Sequence, residues 1–192
     1  MAEPETTAHP DLTDAPAWRP GDDRPDVASM LRVDQAGEYG ATRIYAGQLA
    51  VLGDRGQCAR TIARMAAQEE RHLRHFDELL PARGVRPTLL QPIWSHAGHA
   101  LGAITALISP NAAMACTAAV ETEIDRHYSE QLRTLGAEDP ALAETIREFQ
   151  ADELEHRDTA LASGAEDALG YPILSAFIRA GCRAAIALSK RI

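Results

Sequence analysis

The sequence predicts an all-α fold, an antiparallel bundle of four long helices with two additional apolar helices. Four long stretches are bounded by residues that start and stop helices, and within them apolar residues recur at helical spacing. Only 5% of the residues are aromatic while alanine is abundant, which favours packed helices over a β-sandwich. The 192 residues are enough for one domain with a substantial core.

The bundle helices are defined by the residues at their ends. Asp26 is a suitable N-cap for the first helix, and Gly53 stops it. The second helix ends before Gly84, and a Ser-Pro and an Asp-Pro pair start the third and the fourth. The predicted ranges are 27–52, 57–83, 110–135 and 140–162.

The N-terminal segment differs from the rest of the chain. Residues 1–25 contain five of the eleven prolines and six acidic residues, but almost no large apolar side chains. Such a segment cannot bury enough apolar surface to become ordered. We therefore predict a disordered tail at 1–25 and a single domain at 26–192.

The two additional helices are predicted at about 89–108 and 168–190. The first lies in a run of 34 residues, 87–120, that contains no Asp, Glu, Lys or Arg. It is too short and too often interrupted by polar residues to span a bilayer, and an interfacial or core position suits it better. The second lies in the segment 168–192, which carries four cations and no acid. A membrane-facing helix and an ordinary core helix explain this second segment equally well.

Charge and cysteine usage exclude several classes of protein. The net charge of −9 argues against nucleic-acid binding, which requires an excess of Lys and Arg on one face. The three cysteines are widely spaced and odd in number, so they indicate neither a disulfide framework nor a zinc ribbon. A reducing compartment fits this pattern, and the N-terminus shows no signal-peptide pattern.

Two Glu-x-x-His pairs, Glu69/His72 and Glu153/His156, lie inside predicted helices. Residues three apart share one helix face, so both side chains of a pair can reach one metal ion. Chance alone gives about half of one such pair in a chain of this composition, so the pairs need support from a second pattern.

Position supplies that second pattern. Glu38 lies 31 residues before Glu69, and Glu121 lies 32 residues before Glu153, as if one helical hairpin were used twice. In an antiparallel bundle these residues meet in one core, which is the ligand set of ferritin-like di-iron and di-manganese carboxylate proteins. Four carboxylates balance two divalent cations, and mixed oxygen and nitrogen donors favour iron or manganese over zinc.

Residues close to the single glutamates are candidates for supporting roles. Gly37 and Gly40 flank Glu38, and a glycine inside a helix costs about 1 kcal/mol relative to alanine. We expect them to leave room beside the metals for dioxygen or substrate. His127 and Tyr128 are expected near the site, although a packed histidine and a packed tyrosine explain them equally well.

A metal-bound histidine usually donates its second ring nitrogen to a nearby acceptor. Asp152 and Gln68 each precede a ligand glutamate by one residue. We therefore expect Asp152 to contact His72 and Gln68 to contact His156 across the bundle.

Seven segments carry a resemblance to a known family: DQAGEYGA at 34–41, RIYAGQ at 43–48, AMACT at 113–117, VE at 120–121, HY at 127–128, DELEH at 152–156 and AGCR at 180–183. Over about residues 29–192 the chain resembles the demethoxyubiquinone hydroxylases of ubiquinone biosynthesis. The resemblance implies a ferritin-like di-iron monooxygenase that uses dioxygen to hydroxylate the ring of demethoxyubiquinol, a polyprenylated methoxy-quinol. The implied cofactor is two iron ions (Fe2+) per chain, bound by Glu38, Glu69, His72, Glu121, Glu153 and His156.

The resemblance also implies partners and a location. A polyprenyl quinol lives in the bilayer, so the apolar segments at about 89–108 and 168–190 are expected to dock on a membrane surface. The expected location is the cytoplasmic face of the cell membrane, as a peripheral protein. The electron donor stays open between NADH and another reductant, as do a lipid-presenting accessory protein and a homo-oligomer.

Two other functions fit parts of the sequence. A ferritin-like ferroxidase, or another di-iron or di-manganese carboxylate protein, needs the same six ligands but no apolar docking segments. A non-catalytic bundle would carry these acids and histidines on its surface. The uncharged run at 87–120 favours the hydroxylase over the ferroxidase, and metal stoichiometry separates both from the non-catalytic bundle.

Overall fold

The computed structural model describes residues 26–54 and 56–192, and within them it has six α-helices, one short 3-10 turn and no β-strand. The predicted tail at 1–25 lies outside the described residues. The helices are α1 (Val27–Leu52), α2 (Gln57–Ala82), α3 (Gln91–Ile108), α4 (Pro110–Leu135), α5 (Pro140–Ala162) and α6 (Tyr171–Ser189), with the 3-10 turn at Ala165–Asp167. The predicted all-α fold is confirmed.

Side-chain caps start three of the bundle helices, as the sequence predicts. Asp26, Ser109 and Asp139 each accept a hydrogen bond from the backbone N–H three residues later, at 3.0, 3.0 and 3.1 Å. Gly53 ends α1 with a φ of 69°, in the left-handed region that favours glycine. Helix α2 ends at Ala82, one residue earlier than expected.

Two apolar clusters show how the bundle helices run. The first cluster joins the start of α1 to the end of α2, the end of α4 and the start of α5 through Leu31, Leu80, Leu135 and Leu142. The second cluster joins the opposite ends through Tyr45, Ile62, Met114 and Ala160. Helices α1 and α5 therefore run in one direction and α2 and α4 in the other, which is the predicted antiparallel bundle. Helix α3 is the crossover that returns the chain from the end of α2 to the start of α4.

Helix α3 lies directly against α1, with glycines where the two backbones meet. A Cβ atom added to Gly102 would collide with the carbonyl of Ile44, and one added to Gly47 would collide with the carbonyl of His99. Larger side chains at these positions would hold the helices apart. The opposite face of α3 is left exposed, including the apolar side chains of Ile93, Ile104, Leu107 and Ile108.

Helix α6 packs one face on α4 and leaves the other exposed. Ile178 lies in a small core with Cys116 and Val120 of α4, whereas Ile173 and Phe177 are 79% and 76% exposed. The helix starts at Tyr171 rather than near residue 168, because the 3-10 turn and a left-handed glycine occupy the preceding positions. Among the described residues, α6 alone has the length and composition to cross a membrane, which by themselves are weak evidence.

Polar contacts hold α6 in place. Arg179 and Arg183 donate to the same oxygen of the buried Glu123 on α4, at 2.7 and 2.8 Å. Near the end of the helix, the indole N–H of Trp94 on α3 donates to the hydroxyl of Ser189 at 3.0 Å. Helix α6 is therefore joined to α4 by Arg179 and Arg183 and to α3 by Ser189 near its end.

Candidate metal centre

Six acidic and imidazole side chains from the four bundle helices meet between the two apolar clusters. Helices α1 and α4 supply one glutamate each, and α2 and α5 supply one Glu-x-x-His pair each. All six side chains belong to residues that are at most 1% exposed. The structure thus brings together Glu38, Glu69, His72, Glu121, Glu153 and His156.

These residues form two overlapping groups. Within each group, one ligand atom from every residue lies within 4.8 Å of the others. The first group contains Glu38 and His72, the second contains Glu121 and His156, and both contain Glu69 and Glu153. Two positions that share two carboxylates are the arrangement of a dinuclear metal site.

Several oxygen and nitrogen atoms that could bind a metal in this site have no hydrogen-bond partner. Both carboxylate oxygens of Glu69 and one oxygen each of Glu38, Glu121 and Glu153 are buried without one, as is Nδ1 of His156. A buried polar atom without a partner is costly, because it has lost its hydration and gained nothing in exchange. Bound cations would satisfy these atoms, so the residues fit a metal centre.

Each histidine contacts the residue that the sequence predicts for it, Asp152 for His72 and Gln68 for His156. Nε2 of His72 lies 3.0 Å from Oδ2 of Asp152, and Nε2 of His156 lies 3.0 Å from Oε1 of Gln68. The Nδ1 atoms face the glutamates. Nδ1 of His72 lies 3.1 Å from Oε1 of Glu153, and Nδ1 of His156 lies 2.9 Å from Oε1 of Glu69, a close contact that lacks hydrogen-bond geometry. Nδ1 is therefore the nitrogen available to a metal in both histidines.

Two buried tyrosines hold the single glutamates. The hydroxyl of Tyr45 donates to Oε1 of Glu121 at 2.7 Å, and the hydroxyl of Tyr128 donates to Oε1 of Glu38 in a short hydrogen bond. Sequence reasoning placed Tyr128 near the site but missed Tyr45. The missed signal is a repeat, since each tyrosine follows the glutamate of its own helix by seven residues.

His127 has a different environment from its neighbour. Its Nε2 lies 3.2 Å from Oδ1 of Asp34, whose second oxygen accepts a hydrogen bond from Gln131 at 2.8 Å. Asp34 is one helical turn before Glu38, and burial raises the pKa of this aspartate. Among the described residues, the hydrogen-bond partner of His127 is thus Asp34 and not one of the six candidate ligands.

Burial and neighbouring charges shift the pKa values of several of the six residues. Burial raises the pKa of Glu69 and Glu121 well above the usual range, and neighbouring carboxylates add to this effect. Burial also raises the pKa of Glu153. Burial acts to lower the pKa of His72, but hydrogen bonds and charges from Glu153 and Glu38 outweigh it and raise the pKa to about 10. A metal-free site therefore takes up protons to balance its charge.

A cavity of about 300 Å³ lies between α1, α3, α4 and α6. Its wall includes Gly37, next to Glu38, and Val120, next to Glu121, so it reaches the backbone that carries both single glutamates. The lining is almost wholly apolar. A Cβ atom added to Gly37 or Gly40 would meet no atom within 4 Å, so both glycines border open space, as expected from the sequence.

Comparison with known proteins gives the site a context. The family model of the ubiquinone biosynthesis protein COQ7 matches residues 25–189. A 3-demethoxyubiquinol 3-hydroxylase of Rhodospirillum rubrum is 52% identical over 90% of this chain and 82% of its own length. The human mitochondrial NADPH-dependent 3-demethoxyubiquinone 3-hydroxylase is 51% identical over 88% of this chain and 79% of its own. The mitochondrial 5-demethoxyubiquinone hydroxylase of Saccharomyces cerevisiae is 44% identical over 85% and 77%, respectively. The chain belongs to the COQ7 family of ubiquinone biosynthesis proteins.

Proposed function

We propose that this protein is a dioxygen-dependent hydroxylase of the demethoxyubiquinol ring and that it works with two iron ions held by the six buried residues. The observation that carries the proposal is the apolar cavity beside Glu38 and Glu121. Hydrated iron ions, the substrate of a ferroxidase, need a polar path, whereas an apolar cavity suits a prenylated ring. The names of the relatives supply the class of substrate.

In the proposed centre Glu69 and Glu153 would contribute to both metal positions, since each belongs to both groups of ligand atoms. The two positions are completed by Glu38 with His72 and by Glu121 with His156. When bound, the iron ions supply the activation of dioxygen, a chemistry that side chains do not provide. The donor set accepts Fe2+ and Mn2+, and we propose iron because the reaction consumes dioxygen.

The chain's own residues position the ligands and exclude water. Tyr45 and Tyr128 each donate to one oxygen of a single glutamate, and the second oxygen of that glutamate would be available to hold a metal. The cavity wall of α1, α3, α4 and α6 is apolar and therefore keeps bulk water away from the quinol ring. Gly37 and Gly40 let the ring approach the backbone of α1 closely.

A prenylated substrate requires access from a membrane. Apolar side chains are exposed on α3 and α6, two of the helices that line the cavity; among them are Ile93, Ile104, Ile173 and Phe177. Of the four cations at 168–192, Arg179 and Arg183 are paired with Glu123, and the other two, Lys190 and Arg191, suit anionic headgroups. We propose a peripheral protein at the cytoplasmic face of the cell membrane that draws the quinol from the bilayer into the cavity.

The direct test is a mass-spectrometric product assay. Iron-loaded protein is given a short-chain demethoxyquinone, NADPH as reductant and isotopically labelled dioxygen. NADPH is chosen because the human relative is named as dependent on it. One labelled oxygen is expected in the ring of the product. Glu38→Ala is expected to abolish the product, since it removes a proposed ligand, whereas Glu70→Ala, at an exposed position beside Glu69, is expected to retain it.

Two results would contradict the proposal in different ways. Bound iron that turns over dioxygen without labelling the quinone would favour a ferroxidase or another hydroxylation substrate. Full activity of the Glu38→Ala variant would show that the chemistry takes place elsewhere. Supplying NADH in place of NADPH in a parallel reaction identifies the preferred donor.

A further inference from the structure

The two halves of the proposed centre repeat each other. We name the half with Glu38 and His72 the first half-site and the half with Glu121 and His156 the second half-site. In each half the glutamate accepts from a tyrosine that lies seven residues after the other half's glutamate. In each half the histidine contacts the residue that precedes the other half's Glu-x-x-His pair. The surroundings of the two metal positions can therefore be compared residue by residue.

The repeat breaks at the partners of the histidines. His72 contacts the carboxylate of Asp152, whereas His156 contacts the neutral amide of Gln68. A carboxylate accepts a stronger, charge-assisted hydrogen bond than an amide, and it makes the imidazole a better electron donor to a metal. The first half-site thus has a negative charge behind its imidazole that the second lacks.

A second break affects the same histidine. The ring of Phe149 stacks on the imidazole of His72, with centroids 4.0 Å apart and an angle of 22° between the planes. Phe149 lies four residues before Glu153, and the residue four before Glu69 is Met65, a flexible side chain without a ring. His72 is therefore fixed by a stacked ring as well as by a carboxylate. Its side chain consequently loses less conformational freedom when it binds a metal.

The positive charge of Arg71 opposes the effect of Asp152 on His72. Arg71 places a guanidinium nitrogen 3.7 Å from Oδ2 of Asp152, which lies 3.0 Å from His72. The side chain of Arg71 is 55% exposed, so solvent screens its charge. Asp152 lies closer to the buried imidazole of His72 than to Arg71, and the imidazole contact is better shielded from solvent. The effect of Asp152 on His72 therefore outweighs that of Arg71 on Asp152.

We infer that the two half-sites differ in affinity, that the first half-site binds a divalent cation first, and that Asp152 is the positioning residue that sets this order. The inference rests on the proposed metal centre and adds to it an order of filling. It assigns a role to the partners of the two histidines, which differ in charge between the halves: Asp152 contacts His72, and Gln68 contacts His156.

The test is an anaerobic titration of metal-free protein with Mn2+, followed by electron paramagnetic resonance and calorimetry. The first equivalent is expected to give the spectrum of an isolated Mn2+ ion. The second equivalent is expected to convert it to that of a spin-coupled pair, because Glu69 and Glu153 belong to both half-sites. The two dissociation constants are expected to differ by about tenfold or more.

Reciprocal variants identify the cause. Asp152→Asn is expected to weaken the first step by about 10- to 100-fold, while Gln68→Asp is expected to strengthen the second step and so narrow the gap. A gain of affinity in Gln68→Asp cannot come from misfolding. His72→Ala is expected to abolish the tight step and His156→Ala the weak one. Asp158→Asn, an exposed carboxylate on the same helix, is the matched control.

Two outcomes would overturn the inference while leaving the metal centre intact. One is a coupled-pair spectrum from the first additions of Mn2+, which means equal or cooperative sites. The other is a ratio of the two dissociation constants that stays unchanged in both the Asp152→Asn and the Gln68→Asp variants. Absence of any bound Mn2+ in the wild type would instead remove the proposed centre itself.

Discussion

Two glycines on α1 leave space where an ordinary helix would carry side chains. Gly37 and Gly40 border the cavity, and a Cβ atom at either position would meet no protein atom within 4 Å. In most helices alanine would be the more stable residue at such a position. The space is therefore kept at a cost in stability, which is the pattern expected where a ligand must fit.

Gly40→Ala separates stability from function. The new methyl group would project into the cavity without a clash, so we expect stability to rise by up to about 1 kcal/mol through helix propensity. We expect quinol hydroxylation to fall at the same time, because the ring loses room. Thermal unfolding and the product assay, run on the same preparations, measure both effects. A variant with unchanged activity would show that the ring does not approach Gly40.

The six candidate ligands could be found from sequence, but some of their partners could not. Glu-x-x-His spacing needs only the period of a helix, so a linear pattern suffices. Tyr45 was missed because its partner Glu121 lies on another helix, 76 residues away. Glu123 was missed for the same reason, since only packing brings Arg179 and Arg183 to it.

At the scale of helices, the sequence predicts starts and stops well but not contacts. Asp26, Ser109 and Asp139 act locally, within three residues of the N–H groups they cap. The close approach of α1 and α3 depends instead on Gly47 and Gly102. A glycine inside a helix can lie at a packing contact, beside a cavity or at neither. The sequence does not distinguish these cases, because they depend on where the neighbouring helix lies.

Gly102→Ala tests the contact between α1 and α3. Its methyl group would collide with the carbonyl of Ile44, which is rigid backbone. We expect a loss of about 1–3 kcal/mol in the free energy of unfolding, opposite in sign to the effect of Gly40→Ala. Urea unfolding monitored by circular dichroism measures it. Equal or greater stability than the wild type would mean that α3 is free to move away from α1.

At the scale of the whole molecule, the buried charges predict how stability depends on pH. In the metal-free protein the pKa values of Glu69, Glu121 and Glu153 are raised by burial from 4.5, so the folded state holds protons that the unfolded state releases. The pKa of His72 is raised from 6.5 to about 10. These groups contribute stability at low pH that is lost as pH rises through their folded pKa values.

His156, whose pKa burial lowers from 6.5, acts in the opposite direction below that pH. Above it, we expect the free energy of unfolding of the metal-free protein to fall as pH rises towards about 10. Bound cations replace the protons, so the metal-loaded protein should not follow this decline. The difference in melting temperature between the two forms should widen with pH. Calorimetry of metal-free and Mn2+-loaded protein across this range is the measurement, and a constant or shrinking difference would contradict it.

The exposed face of α6 makes a separate prediction about membranes. Ile173→Asp places a charge on a side chain that is 79% exposed and does not line the cavity, so the fold should be unaffected. We expect binding to anionic liposomes to fall by about tenfold, because apolar burial is lost and a repelling charge is gained. Cosedimentation measures it, with Ala151→Asp on an exposed position of α5 as the matched control. Equal losses in both variants would indicate a general charge effect.

Helix α6 serves as the inner wall of the cavity and, on its other side, as the proposed docking face. Ile178 and Cys182 line the cavity, while Ile173 faces outward. In the proposed function, one side of this helix faces the quinol ring and the other side faces the membrane. A substitution that shifts α6 is therefore expected to alter substrate entry and membrane attachment together.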